Sequence, residues 1–270
     1  MAIDFDQAPD YIRSEIAPPS GTVERGEKSV WAKRIQEWLN YHDCRTSIDS
    51  DYGPATTECV KDFQTKIGLP STGAVDVATW EALVKPMQMV LQSPENINSM
   101  SISEAVRVMA QQHVEQHPIE IGKANCGPWV RLYCSGNEGL QWAWCAGFVS
   151  LIMHQAYFYK NKPSPIEGSV SCDSLAAQGR EAGLFVIESD VTSERVSWDS
   201  LGGCAIFLRR RTSTDWTHTG FALSATGVGN ALVFNTIEGN TNDEGSREGY
   251  EACRRKRSMA GENYDFMKFV

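Results

Sequence analysis

From residue 29 onward the apolar positions recur at helical spacing. Val30, Ile35, Trp38 and Leu39 share one face of a helix predicted over roughly Ser29 to Asn40. An Asp-, Gly- and Pro-rich turn follows from Ile48 to Pro54. A second helix then carries Thr56, Val60, Phe63 and Ile67 on its inner side and stops at Gly68-Leu69-Pro70. A third, short helix holds Thr79, Trp80 and Leu83. Farther on, Ser101 or Ser103 with Glu104 opens a helix carrying Ile102, Ala105, Val106 and Met109. Helices are predicted over 127–134, 145–159 and 173–183. The period then changes to two, and strands are predicted over 204–210, 217–224, 231–238, 247–257 and 265–270. Helices first and antiparallel strands afterwards indicate an α+β layered fold rather than a βαβ series. The expected organisation is a tail over 1–20, a small helical domain over 21–88, a linker over 89–100 and a second domain over 101–270.

Composition narrows the classes of function. The 270 residues are 41% hydrophobic and 22% charged, ordinary for globular domains, and long enough for two cores. No run approaches the roughly 18 apolar residues of a membrane span. The first twenty residues have neither a basic n-region nor an apolar h-region, so no secretory signal peptide is expected. The net charge of −9 argues against nucleic acid as a partner. The basic runs Arg209–Arg211 and Arg254–Arg257 read as solvated strand ends, with an anionic-ligand patch as the alternative. The eight cysteines lack the paired spacing of a zinc site, and most read as small buried thiols. Cys44 and Cys59 are the pair to test for a bridge.

The chemistry concentrates late in the chain. Cys145 opens an apolar helical run, where unpaired N–H groups and the helix dipole favour a negative sulfur. His218 lies in an alternating stretch on the same face as Gly220 and Ala222, small neighbours that leave room for a substrate. It is the candidate base, and a base of this kind needs an acceptor on its other nitrogen. Glu238 is the first choice for that orienter and Asn240 the second. Asn240 has two further candidate roles: polarising the carbonyl or holding the loop Gly239–Asp243. Trp144 and Trp216, beside nucleophile and base, are candidate substrate-binding residues. Metal readings fare worse. His113 and His117 would share a helix face, but Glu115 sits at the wrong place for an H-E-x-x-H zinc motif. No metal and no cofactor is expected.

Two resemblances add to this. Gly26, Ile35-Gln36-x-x-Leu39, Asp51-Tyr52-Gly53-x-x-Thr56, Phe63-Gln64, Gly68-Leu69, Thr72-Gly73 and Thr79-Trp80-x-x-Leu83 resemble the peptidoglycan-binding domain that accompanies many wall hydrolases. That likeness implies a glycan and stem-peptide groove lined near Asp51, Tyr52 and Thr56, although Asp51 and Thr56 also suit a turn and a helix cap. Asn125-Cys126-Gly127-Pro128-x-Val130, Trp144-Cys145-Ala146-x-Phe148-Val149-Ser150, His218-x-Gly220-Phe221-Ala222 and Ile237-Glu238-Gly239-Asn240 are similar to a CHAP domain, a papain-like cysteine amidohydrolase or peptidase. This implies Cys145 as nucleophile, His218 as base, Glu238 as orienter and Asn240 as an auxiliary polar group. Between Ser101 and Cys145 there is no acidic calcium loop of the kind some relatives carry, so no calcium dependence is expected.

The expected function is therefore a peptidoglycan hydrolase. It would cut either the muramoyl–L-alanine amide or a peptide bond of the stems, the second slightly preferred. Without a signal peptide it would reach the wall as a phage lysin or as an injected antibacterial effector, the latter with an immunity protein as partner. The rivals are an inactive wall-binding protein and a general cysteine peptidase.

Overall fold

The computed structural model describes residues 8–242 and 249–269. Residues 1–7 of the expected tail, Asp243, positions 247 and 248 of the expected fourth strand, and Val270 lie outside them. The helices, in chain order, are α1 (Asp10–Ile16), α2 (Val30–Tyr41), α3 (Pro54–Lys66), α4 (Val77–Val90), α5 (Ile102–Glu115), α6 (Pro128–Tyr133), α7 (Cys145–Tyr159), α8 (Cys172–Glu181) and α9 (Glu188–Thr192). The strands are β1 (Phe185–Val186), β2 (Ala205–Thr212), β3 (Asp215–Thr226), β4 (Val233–Thr241), β5 (Glu251–Ser258) and β6 (Asn263–Lys268). The α+β class expected from the pattern is the class observed. No helix among the described residues is long and apolar enough to cross a membrane.

The chain divides into two compact units, and the division differs from the expected one. The segment Ile119–Leu140 groups with the N-terminal residues up to Leu91, while Gln92–Pro118 groups with the chain from Gln141 onward. The Asn125–Val130 stretch, taken above as part of the second domain, therefore belongs to the first unit.

In that unit Ser29 caps α2 by accepting from the Ala32 N–H at 3.2 Å, and Asp76 caps α4 through the Thr79 N–H at 2.8 Å. Ile35, Trp38 and Leu39 are buried as expected, but Val30 is 58% exposed. Ile67 is also exposed, because α3 has ended before it. Two buried glutamines tie the turns to the helices. Gln36 donates to Asp49 Oδ1 at 2.8 Å and to the Asp51 carbonyl at 3.0 Å, and accepts from the backbone of Asp49 and Ser50. Gln64 donates to the Ala74 carbonyl at 2.8 Å and to Thr79 Oγ1 at 3.0 Å, and accepts from the Gly73 N–H. Each amide satisfies backbone groups that a polar turn would otherwise leave open.

The expected tail contains α1, whose Ile12 and Ile16 are buried and whose last carbonyl accepts from Trp80 Nε1 at 2.9 Å. Arg131 of α6 holds the unit together ionically. It makes a bidentate pair with Glu15 at 2.8 and 2.9 Å, meets Glu37 at 2.7 Å and meets Glu138 at 2.7 Å. Lys33 and Arg34 complete the charge balance, on Glu138 and Glu15 respectively.

The second unit opens with a capping box at α5: Ser101 accepts from the Glu104 N–H, and Glu104 accepts from the Ser101 N–H. Nearly every residue of α7 is buried, so this helix is apolar on all sides and forms the centre of the unit. It packs on α5, and its Phe148 meets Phe221 of β3 with ring centroids 6.1 Å apart. The six strands form one antiparallel sheet in the order β1-β6-β2-β3-β4-β5. Phe207, Phe234, Tyr264 and Phe266 make a further apolar cluster on it, with Trp198 packed against them.

Candidate active site

Cys145 is the first residue of α7, and the preceding Trp144 supplies no side-chain cap to the helix. The sulfur thus sits at the uncapped positive end of a 15-residue helix. β3 and β4 deliver the partners. Phe221 faces Ile237 and Ala222 faces Thr236 across this ladder, a register that sets Glu238 opposite Gly220 when continued. His218 Nε2 meets Glu238 Oε2 at 2.8 Å. Both Glu238 oxygens are otherwise held: Thr236 donates to Oε1 at 2.5 Å, and Arg257 of β5 donates at 2.8 Å from Nε and 2.6 Å from Nη2. With Nε2 engaged by Glu238, His218 Nδ1 is the nitrogen left to couple with the Cys145 thiol.

The electrostatics follow from this arrangement. Burial disfavours a charged imidazole, but the contacts with Cys145 and Glu238 together outweigh it and hold the His218 pKa up to about 9. The Cys145 pKa lies well below the usual thiol range. The largest cause is the hydrogen bond it shares with Cys172, which with the His218 contacts overcomes burial. Burial likewise opposes ionisation of Glu238, yet His218 and Arg257 keep it a carboxylate well below the ordinary range. The combination favours a thiolate–imidazolium pair, the reactive state of a cysteine nucleophile.

A cavity of about 260 Å³ opens beside the sulfur, lined among others by Cys172, Asp173, Trp216, Thr217 and Asn240. Asn240 is 2% exposed, its Oδ1 has no hydrogen-bond partner, and its backbone is left-handed at φ 51°. It falls in the irregular register between Glu238 and Thr241, where a bulge re-aims the side chain. Trp216 forms one wall, held by Asp173 at its N–H (2.6 Å) and by Asp265 at Nε1 (3.0 Å).

Several expected roles change here. Trp144 is fully buried and edges onto Phe148, so it serves the core and not the cavity. The room at Gly220 goes to protein: a Cβ there would lie 2.8 Å from Glu238 Cγ, the Ile237 carbonyl and Phe207. Tyr52 is fully buried with its hydroxyl donating to the Gly73 carbonyl at 2.8 Å, and Thr56 is buried against Gln36, so neither lines a groove. Asp51 is half-buried and pairs with Lys28. His113 is buried on Gln155 at 2.9 Å, whereas His117 lies beyond the end of α5 and meets Glu251, so the two do not share a helix face. Arg209, Arg210 and Arg211 each pair with carboxylates of their own unit. Cys44 and Cys59 form no disulfide.

Arg257, Thr236 and Cys172 escaped the sequence reading. The signal for Arg257 was a buried carboxylate on β4 needing a cation, but only the β4–β5 pairing selects this arginine from its basic run.

Residues 32–83 match the family model described as "Putative peptidoglycan binding domain". The chain carries a peptidoglycan-binding domain. The match runs from within α2 into α4. It associates the protein with the cell wall. No curated protein and no solved structure matches the chain.

Proposed function

We propose that this protein is a cysteine-dependent peptidoglycan hydrolase of CHAP type. The observation that carries the reading is Cys145, lining a cavity and coupled to a buried His218 whose far nitrogen is held by Glu238. The peptidoglycan-binding domain supplies the substrate class, since a linked binding module raises the local concentration of scissile bonds.

In this reaction the Cys145 thiolate attacks the amide carbonyl, forming a C–S bond and a tetrahedral oxyanion. The first N–H groups of α7, which carry no side-chain cap, are the donors offered to that oxyanion. Collapse of the intermediate breaks the C–N bond, and the His218 imidazolium gives its Nδ1 proton to the departing amine. Water then attacks the thioester. His218 takes a proton from it, and the thiolate leaves with the carboxylic acid as second product. Either the muramoyl–alanine amide or a stem-peptide bond satisfies this chemistry.

The test is digestion of purified sacculi by the full chain and by Cys145→Ala, with released muropeptides identified by mass spectrometry. The expected result is a loss of about 10³-fold or more in release with sacculus binding retained. Equal release by both proteins would overturn the hydrolase reading; binding with no release by either would identify a wall-binding protein.

A further inference from the structure

Cys172 is a thiol that the mechanism above does not require. It is the first residue of α8, so a second helix start borders the cavity that α7 opens onto. Its Sγ lies 3.8 Å from Cys145 Sγ, within hydrogen-bond range for two sulfurs, and no disulfide joins them. Both residues are nearly excluded from solvent, at 5% and 8% exposure. Asn240, whose Oδ1 is buried and unpartnered, lines the same cavity, so an unsatisfied polar group accompanies the two sulfurs.

A buried sulfur anion needs donors to replace water. His218 provides one by charge, and the Thr219 N–H provides another. A third group within hydrogen-bond range is the Cys172 thiol. We propose that Cys172 is a second functional thiol of this site, donating its S–H to the Cys145 sulfur and so holding that sulfur ionised and aimed into the cavity. This rests on the hydrolase reading of the same site. Cys172 keeps its proton throughout: the hydrogen bond is strong while Cys145 is a thiolate, weakens when the sulfur becomes a thioester, and is restored on deacylation.

The experiment is the pH dependence of iodoacetamide alkylation at Cys145, followed by peptide mass spectrometry so that each cysteine is scored separately. Wild type, Cys172→Ala and Cys172→Ser are compared as full chains, with sacculus digestion run in parallel. For Cys172→Ala the midpoint should move up by about one pH unit, and digestion should fall most on the acid side of the wild-type midpoint, by up to about tenfold, with a smaller loss on its alkaline side. Cys172→Ser, which keeps a donor, should recover most of both. An unmoved midpoint in Cys172→Ala overturns the proposal, as does an equal shift in the alanine and serine variants. The alkylation readout does not depend on turnover. Failure of the hydrolase reading would appear separately, as undiminished digestion by Cys145→Ala.

Discussion

Two clusters of buried ionised groups among the described residues are finished differently. Around Arg131 every partner is protein: Glu15, Glu37 and Glu138 take the guanidinium, and Lys33 and Arg34 balance the surplus carboxylates. Around Glu238 the carboxylate is just as fully engaged, by Thr236, Arg257 and His218. There the network stops short, because Asn240 Oδ1 is buried with no hydrogen-bond partner and His218 is left to meet the Cys145 thiol. A buried unsatisfied polar atom costs about 1–3 kcal/mol. A network closed on itself stabilises a fold; one left open beside a cavity and a thiolate is arranged for a partner that arrives from outside. The difference teaches where to look for chemistry: at the unfinished cluster.

Three substitutions test that contrast. The largest effect is expected from Glu238→Gln, which removes the acceptor that orients His218 and strands Arg257. Muropeptide release should fall about 10²- to 10⁴-fold, and assays of turnover on sacculi would measure it. Arg131→Met attacks the closed cluster instead. It leaves three carboxylates facing one another and should cost the N-terminal unit about 3–5 kcal/mol in chemical denaturation. Cys145 alkylation rates should be unchanged in that variant; a slowed rate would break the distinction between the clusters. Gly220→Ala presses a methyl group onto Glu238 Cγ and the Ile237 carbonyl. About 1–3 kcal/mol of stability should be lost, with a roughly tenfold drop in release.

The smallest effects are those of pH. His218 must be protonated to serve the leaving amine, and its pKa is held up to about 9, so kcat/KM should decline on the alkaline side around pH 9. A profile falling instead near the ordinary imidazole value would separate His218 from the thiolate. In the closed cluster, burial alone would raise the Glu138 pKa, but the Gly127 N–H, Lys33 and Arg131 bring it down to about 2 from 4.5. Its folded-state value is depressed, so its contribution is present above about pH 4.5 and is lost as pH falls through about 2. Acid titration of the folded chain, followed by tryptophan fluorescence, should show the N-terminal unit weakening across that window.

Much of this was legible in the chain itself. The run from Cys145 to Tyr159 is so continuously apolar that its predicted and observed bounds coincide. Ser29 and Ser101 announce their helices through local capping chemistry that needs no distant residue. Other features were hidden because their signal is weak or ambiguous locally. The three buried residues of α1 lie within a stretch that reads as an acidic tail. Tyr52 sits in a polar turn and Thr56 in the first turn of α3, and only the reach of Gly73 and Gln36 shows that they face inward. Arg257 is one of four consecutive basic residues, and Cys172 one of eight cysteines.

Periodicity, caps and the order of reactive residues depend on neighbours within a few positions, so the amino-acid order by itself determined the helices, the antiparallel strands and the candidates Cys145, His218 and Glu238. The tertiary structure alone decided which cation neutralises Glu238, which second thiol approaches Cys145, and which unit claims Ile119–Leu140. Those choices depend on groups brought together from distant parts of the chain, where burial makes a charge or a donor costly to leave unmatched, and no local pattern encodes which partner arrives.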